Sequence, residues 1–196
     1  SNKISPTNCK DAVTAFGMNC PPFLDGGQCE IGIESTVIDL TAHSPSILRI
    51  GPISKSAIEE VLGTEIQSKT GQKEKKIDIE KPSLSPGLGL KHYAPSTPLY
   101  LYTDIEKMLN SNTLIRDDIL ILPSSNVMIQ SHKKNFTLFY LSSVGNPKEI
   151  TKNFFRILNE ADSLKKERIH ASLFPCSDHL LLAVNDRLRR AASKCF

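Results

Sequence analysis

Residues 85 to 95 run Ser-Pro-Gly-Leu-Gly-Leu-Lys-His-Tyr-Ala-Pro, turn formers surrounding an ammonium, an imidazole and a phenol. Pro86, Gly87, Gly89 and Pro95 prevent helix and discourage sheet, so the backbone should run extended with its polar groups free for other partners. His92 and Tyr93 are then expected to be presented, not buried. Two readings fit these residue types: a strap that binds something, and an ordinary Pro/Gly linker that carries two aromatics. Other chemistry is scarce. The five cysteines, at 9, 20, 29, 176 and 195, form no CxxC pair and no ligand spacing with the five histidines, so neither a metal site nor a disulfide framework is indicated. Gly-x-Ser-x-Gly and Gly-x-Gly-x-x-Gly patterns are missing, which argues against a small α/β hydrolase or a dehydrogenase.

Composition narrows the class. The 196 residues are 39% hydrophobic and 23% charged, ordinary for a globular chain with room for one large or two small domains. Net charge is +3 and uneven: residues 1–97 hold 10 Lys/Arg against 11 Asp/Glu, and residues 98–196 hold 14 against 10. An excess of four over half the chain suits a solvated surface better than an RNA-binding face. An odd cysteine count fits a reducing compartment, and neither a transmembrane run nor a signal-peptide core is present, so a cytoplasmic protein without membrane contact is expected. The sequence opens at Ser1 rather than Met, as if entered partway through.

The elements that must position the strap are readable in part. Ser5 followed by Pro6 predicts a helix over 6–16 that places Thr7 in its first turn, packs Ala12, Val13 and Phe16 as one face and stops at Gly17. Ile33 to Leu40 and Ile47 to Ile50 predict a β-hairpin with Ser35 and Arg49 at opposite ends of neighbouring strands. Ser54 caps a helix over 55–62 that Gly63 terminates. From 64 to about 97 periodicity is lost in a lysine-rich connector. Beyond it, strands at 99–102, 119–122, 137–141 and 169–173 alternate with helices at 104–110, 147–161 and 178–194, the pattern of an open, largely parallel, Rossmann-like sheet. Gly145 is the only glycine after Gly89, so no glycine-rich phosphate loop exists there. His43, His132, His170 and His179 fall on turns or element ends and are expected at the surface.

Four ordered motifs carry a resemblance: Asp25-Gly26-Gly27; Gly32-Ile33-Glu34-Ser35-Thr36-Val37-Ile38-Asp39-Leu40; Leu48-Arg49-Ile50-Gly51; and Ser85-Pro86-Gly87 with His92-Tyr93-Ala94-Pro95. In order and spacing they resemble the long, two-domain type of threonylcarbamoyl-AMP synthase. The segment Leu182 to Ala192 is similar to that family's closing helix. The resemblance implies an α/β fold: the C-terminal remnant of a twisted YrdC-like sheet over residues 1–66, a linker over 67–97, and a small Rossmann-like accessory domain over 98–196. It further implies a nucleotidyltransferase that joins L-threonine, bicarbonate and ATP into threonylcarbamoyl-AMP and pyrophosphate for tRNA threonylcarbamoyladenosine. Mg2+ would be bound through the nucleotide's phosphates.

Site residues follow from the same resemblance, position by position. Thr7, Arg49 and Tyr93 match ATP contacts, Ser35 matches a threonine contact, and Lys91 and His92 are further strap contacts; no catalytic residue and no metal ligand is assigned. The chemistry suits those roles. A helix's first turn offers N–H groups to phosphate, and a guanidinium offers a planar fork of donors to it. A small hydroxyl bonds an amino acid without filling its pocket, and a phenol can stack on a nucleotide or donate to it. Each also has a plain structural reading: capping for Thr7, an unremarkable strand residue for Ser35, a solvated strand residue for Arg49. Two departures stand out, Leu88-Gly89-Leu90-Lys91 in place of the family's Met-Lys-Tyr-Arg, and Ile50 in place of proline. The family's front half is not matched by any residue here, so the chain is expected to be inactive alone, with an upstream segment supplied in trans and other proteins of the pathway as partners. The alternative is a non-catalytic tRNA-binding or regulatory module using Arg187, Arg189, Arg190 and Lys194, residues that also suit the dipole of the last helix.

Overall fold

The computed structural model describes residues 3–68, 92–129 and 135–196, which build one three-stranded and one five-stranded sheet. Lys91 and the strap residues before it lie outside the described residues. In the first unit, helix α1 (Cys9–Phe16) is followed by a 3-10 turn and then by strands β1 (Val37–Asp39) and β2 (Ser46–Arg49), helix α2 (Lys55–Leu62) and the short strand β3 (Gln67–Ser68). β1 and β2 pair antiparallel, with Val37 opposite Arg49, and β3 adds to β2 in parallel. Helix α2 forms where its caps dictate: the Ser54 hydroxyl accepts from the Ala57 N–H, and Gly63 ends it in a left-handed conformation at φ 65°.

Helix α1 departs from the expectation. It starts at Cys9 and not at Pro6, because the Asn8 side chain accepts from the Asp11 N–H at 2.8 Å while the Asp11 carboxylate reaches back to Thr7. This reciprocal pairing fixes the start three residues later and leaves Thr7 outside the helix. Gly17 does stop it, at φ 60°. None of its residues is buried: Val13 and Phe16, on its apolar face, lie exposed with Met18 and Leu24 nearby in sequence.

The second unit runs β4 (Leu99–Tyr102), α3 (Ile105–Leu109), β5 (Ile119–Ser124), β6 (Thr137–Ser142), α4 (Pro147–Ser163), β7 (Ile169–Ser172), α5 (His179–Ala191) and β8 (Lys194–Cys195). Its strands are all parallel in the order β6-β5-β7-β4-β8. A central strand covered on both faces favours a continuous apolar run, as in Ile119 to Leu122 of β5; β7 is buried throughout though it carries His170 and Ser172, while the edge strand β6 alternates over its first four residues. Asn146 and Asp178 cap α4 and α5. Phe154, Phe155 and Leu158 of α4 and Leu181, Val184 and Leu188 of α5 fill the main core, and Ile4 and Tyr93 from outside the sheet join it.

His170 corrects the surface expectation. Its ring is wholly buried, with Nε2 at 3.1 Å from the Asp118 carboxylate and Nδ1 at 2.9 Å from the Tyr102 hydroxyl. A carboxylate only accepts, so Nε2 carries the proton and Tyr102 donates to Nδ1. Burial holds the His170 pKa below the ordinary 6.5, with Asp118 opposing that shift. His179 is partly buried and donates to the Pro52 carbonyl across the two units at 2.8 Å. The units also touch at Gly32, where φ is 78° and an added Cβ would sit 2.2 Å from the Lys152 carbonyl oxygen of α4.

Candidate functional site

The antiparallel pairing of β1 with β2 brings the start of one beside the end of the other, so Ser35 and Arg49 meet. Arg49 Nε donates to the Ser35 carbonyl at 3.1 Å, and a terminal guanidinium nitrogen donates to Ser35 Oγ at 3.3 Å. The strand covers only 37–39, so Ser35 lies in the extended segment before it. Gly51 makes this approach sterically feasible: a Cβ there would fall 2.2 Å from the Thr36 backbone nitrogen. The Thr36 hydroxyl bonds the Ile53 backbone, donating to its carbonyl at 2.8 Å and accepting from its N–H at 3.2 Å.

Tyr93 comes to the same place from the strap, and it is buried at 4% exposure where presentation was expected. Its ring packs 5.4 Å from Phe155 and 5.2 Å from His92. Those contacts hold it despite a left-handed backbone at φ 63°, rare for a bulky residue. Tyr93 Oη is buried, and no hydrogen bond of ordinary geometry is completed to it among the described residues. Burial, with Glu34 adding to it, pushes the phenol's pKa up, and Arg187 and Arg49 pull the other way. His92 donates its backbone N–H to the Arg190 carbonyl at 3.3 Å, and burial first, then the charges of Arg190 and Arg49, hold its imidazole below the ordinary value against Glu34. Downstream, the Asp162 carboxylate of α4 clasps the strap's exit, accepting the N–H groups of Ser96 at 2.9 Å and Thr97 at 2.7 Å.

Two residues not assigned from the sequence organise this cluster. Glu34 accepts from Ser5 Oγ with one oxygen and from Arg187 Nε, at 3.2 Å, with the other. Arg187, on α5, is fully buried. Its sequence signal was its place among the apolar residues of that helix, four after Ala183 and three after Val184, where a charge must find partners. That burial also corrects the alternative reading of the last helix: Arg187 cannot reach a nucleic acid, and Arg190 pairs with Asp186, leaving Arg189 and Lys194 exposed.

Thr7 stands apart from this cluster. It is 2% exposed, and both its N–H and its hydroxyl go to the Asp11 carboxylate, at 3.2 and 3.1 Å. It lines a groove of about 410 Å³ with Ser5, Cys29, Gly32, Glu34 and Phe155; Arg49 and Tyr93 are not among the groove's walls. Ser35, Arg49 and Tyr93 are therefore brought together, and Thr7 lies apart from them in a groove whose walls include Glu34. Among the described residues, no cluster of three or more His, Cys, Asp or Glu side chains could hold a metal ion, and no helix is long and apolar enough to cross a membrane.

Two family models divide the chain: one described as the C-terminal domain of threonylcarbamoyl-AMP synthase matches residues 53–193, and one described as telomere recombination matches residues 1–51. The chain belongs to the threonylcarbamoyl-AMP synthase family. A synthase of that name from Pyrococcus abyssi is 30% identical over 98% of this chain and 55% of its own length. One from Schizosaccharomyces pombe is 29% identical over 100% of this chain and 51% of its own, and one from Bacillus subtilis is 30% identical over 98% and 54%. The chain thus spans about half the length of the curated relatives it matches. The crystal structure of P. abyssi Sua5 complexed with L-threonine superposes with a TM-score of 0.78 at 30% identity, over 98% of this chain and 55% of that one. A P. abyssi Sua5 variant with an adjacent histidine and tyrosine replaced by alanine superposes at 0.72 and 26% identity, over 100% and 57%.

Proposed function

We propose that this chain forms the threonine- and nucleotide-facing C-terminal part of a threonylcarbamoyl-AMP synthase, with residues 1–66 belonging to the catalytic unit, 67–97 to the linker and 98–196 to the accessory unit. The reaction joins L-threonine, bicarbonate and ATP: a carbamate oxygen formed on the threonine nitrogen attacks the α-phosphorus, and pyrophosphate leaves. Such a transfer needs positioning and charge stabilisation more than a covalent nucleophile. In this reading Arg49 supplies the planar donor fork for phosphate oxygens, and Ser35 offers its hydroxyl to the polar groups of threonine. Tyr93 presents its phenol to the nucleotide, and Lys91 and His92 complete the strap. Thr7 contributes to ATP binding from the wall of the adjoining groove. Mg2+ would travel on the nucleotide's phosphates, and no step here runs through it.

One observation carries the reading: Ser35, Arg49 and a buried Tyr93 hydroxyl converge, and that hydroxyl completes no hydrogen bond of ordinary geometry among the described residues, which leaves a place for a ligand's polar group. The similarity to a Sua5 structure holding L-threonine supports threonine as the amino acid, and the relative with an adjacent histidine and tyrosine replaced draws attention to the pair His92-Tyr93. The product would serve tRNA modification beside other proteins of that pathway, in the cytoplasm.

The test is calorimetric titration of the chain with L-threonine and ATP, together with pyrophosphate release when both are supplied with bicarbonate. The chain alone is expected not to turn over, and turnover is expected when the remainder of a YrdC-like domain is supplied in trans. Arg49→Ala should lower turnover of the complemented form about 100-fold or more, the scale seen when one transition-state donor is removed. An Arg49→Ala form that binds and turns over like the parent overturns the assignment. Of the four basic residues of the tRNA-module alternative, only Arg189 on the last helix and Lys194 on β8 are exposed, so salt-sensitive tRNA binding lost on replacing those two would be needed to revive it.

A further inference from the structure

Arg187 is a guanidinium with no exposure to water, and a buried charge persists only where its donors are met. Its Nε donates to the Glu34 carboxylate at 3.2 Å, and one terminal nitrogen donates to the Ile50 carbonyl and to the Ala183 carbonyl at 3.3 Å. The other terminal nitrogen lies 3.5 Å from the Glu34 carbonyl. Asp186 adds a second carboxylate at 3.6 Å, and the guanidinium carbon lies 5.9 Å from the centre of the Tyr93 ring.

These partners are not scattered. Glu34 precedes Ser35, and Ile50 follows Arg49, so one side chain grips the backbone next to each member of the pair while its cation lies against the ring of the third. From these contacts we infer that Arg187 is the positioning residue by which the accessory unit sets the geometry of Ser35, Arg49 and Tyr93. The inference deepens the function proposed above and rests on it for its consequence in binding, though the geometry it describes does not. Only a planar fork can reach a carboxylate and carbonyls on two different segments at once; a lysine ammonium keeps the charge and loses the spread. Through this residue the accessory unit acts by holding the two segments in register and by setting its cation against the ring of the strap's phenol.

The experiment separates positioning from function. Backbone amide spectra of the isotopically labelled chain, with 3-fluorotyrosine at position 93, are compared for the parent, Arg187→Lys and Glu34→Gln, with His170→Gln as a control that disturbs a buried network elsewhere. Without any substrate, Arg187→Lys and Glu34→Gln should shift or broaden the Ser35, Arg49 and Tyr93 signals. His170→Gln should leave those three in place and move signals of the second sheet. L-Threonine titrations then read the consequence: Arg187→Lys should weaken binding at least tenfold although it retains the charge. If Arg187→Lys does not fold, Glu34→Gln decides alone. Site signals that stay put in both variants, or shift equally in His170→Gln, overturn the inference. Site signals that move as expected while the parent itself fails to bind threonine uphold the positioning and instead sink the proposed function.

Discussion

At the level of single residues, the site is held by groups whose burial has a measurable cost. The Tyr93 hydroxyl is the clearest: burying a polar group without a partner costs about 1–3 kcal/mol, and this one has none of ordinary geometry among the described residues. Tyr93→Phe should therefore raise thermal stability, by roughly 1 kcal/mol on that scale, while weakening nucleotide binding; a melt and a titration on the same sample check both. His170 makes a pH prediction. Its folded pKa lies below its unfolded value, so the folded state resists the proton that the unfolded chain accepts. Its contribution to stability is complete above pH 6.5 and is lost as pH falls toward the folded pKa. His92 shifts in the same direction and adds a slope of the same sign. Urea midpoints should fall from pH 8 to pH 5, and His170→Gln should flatten that slope.

Among the elements, local chemistry was readable wherever one residue type settles a backbone geometry. Ser54 and Gly63 bound α2 as expected, and the alternation of the second half gave its parallel sheet. What failed was competition between equally good local signals: Ser5-Pro6 is a credible helix start, but Asn8 with Asp11 wins because their two side chains satisfy backbone and side-chain donors reciprocally. Asn8→Ala should cost about 1 kcal/mol, read from the denaturation midpoint. The hairpin was legible from alternation, whereas the Ser35 to Arg49 contact needed the strand register, and Glu34, Arg187 and the burial of Tyr93 depend on contacts between residues more than sixty positions apart, which no window of sequence reports. Gly51 is the element-scale constraint on the site. With backbone rather than a flexible side chain 2.2 Å from its missing Cβ, Gly51→Ala should reach the upper end of the ~1–3 kcal/mol cost of overpacking. Loss of the Ser35 to Arg49 contact in the amide spectrum would accompany it.

For the molecule as a whole, the first unit's own cluster is small, Ile47, Ile58 and Ile66, whereas Ile4 and Tyr93 belong to the core built by α4 and α5. Unfolding followed by 3-fluorotyrosine at position 93 and by far-ultraviolet dichroism should therefore coincide in one transition; two separated midpoints would contradict the shared core. In contrast, Phe16 at the end of α1 and Leu24 beyond it are exposed, so Phe16→Lys and Leu24→Lys should change stability by no more than about 0.5 kcal/mol while reducing any self-association seen by light scattering. The left-handed turn at Tyr93 gives the assembly one more property. A backbone held there costs about 1–2 kcal/mol, so the seated phenol carries a strain that its ring contacts with Phe155 and Arg187 must offset.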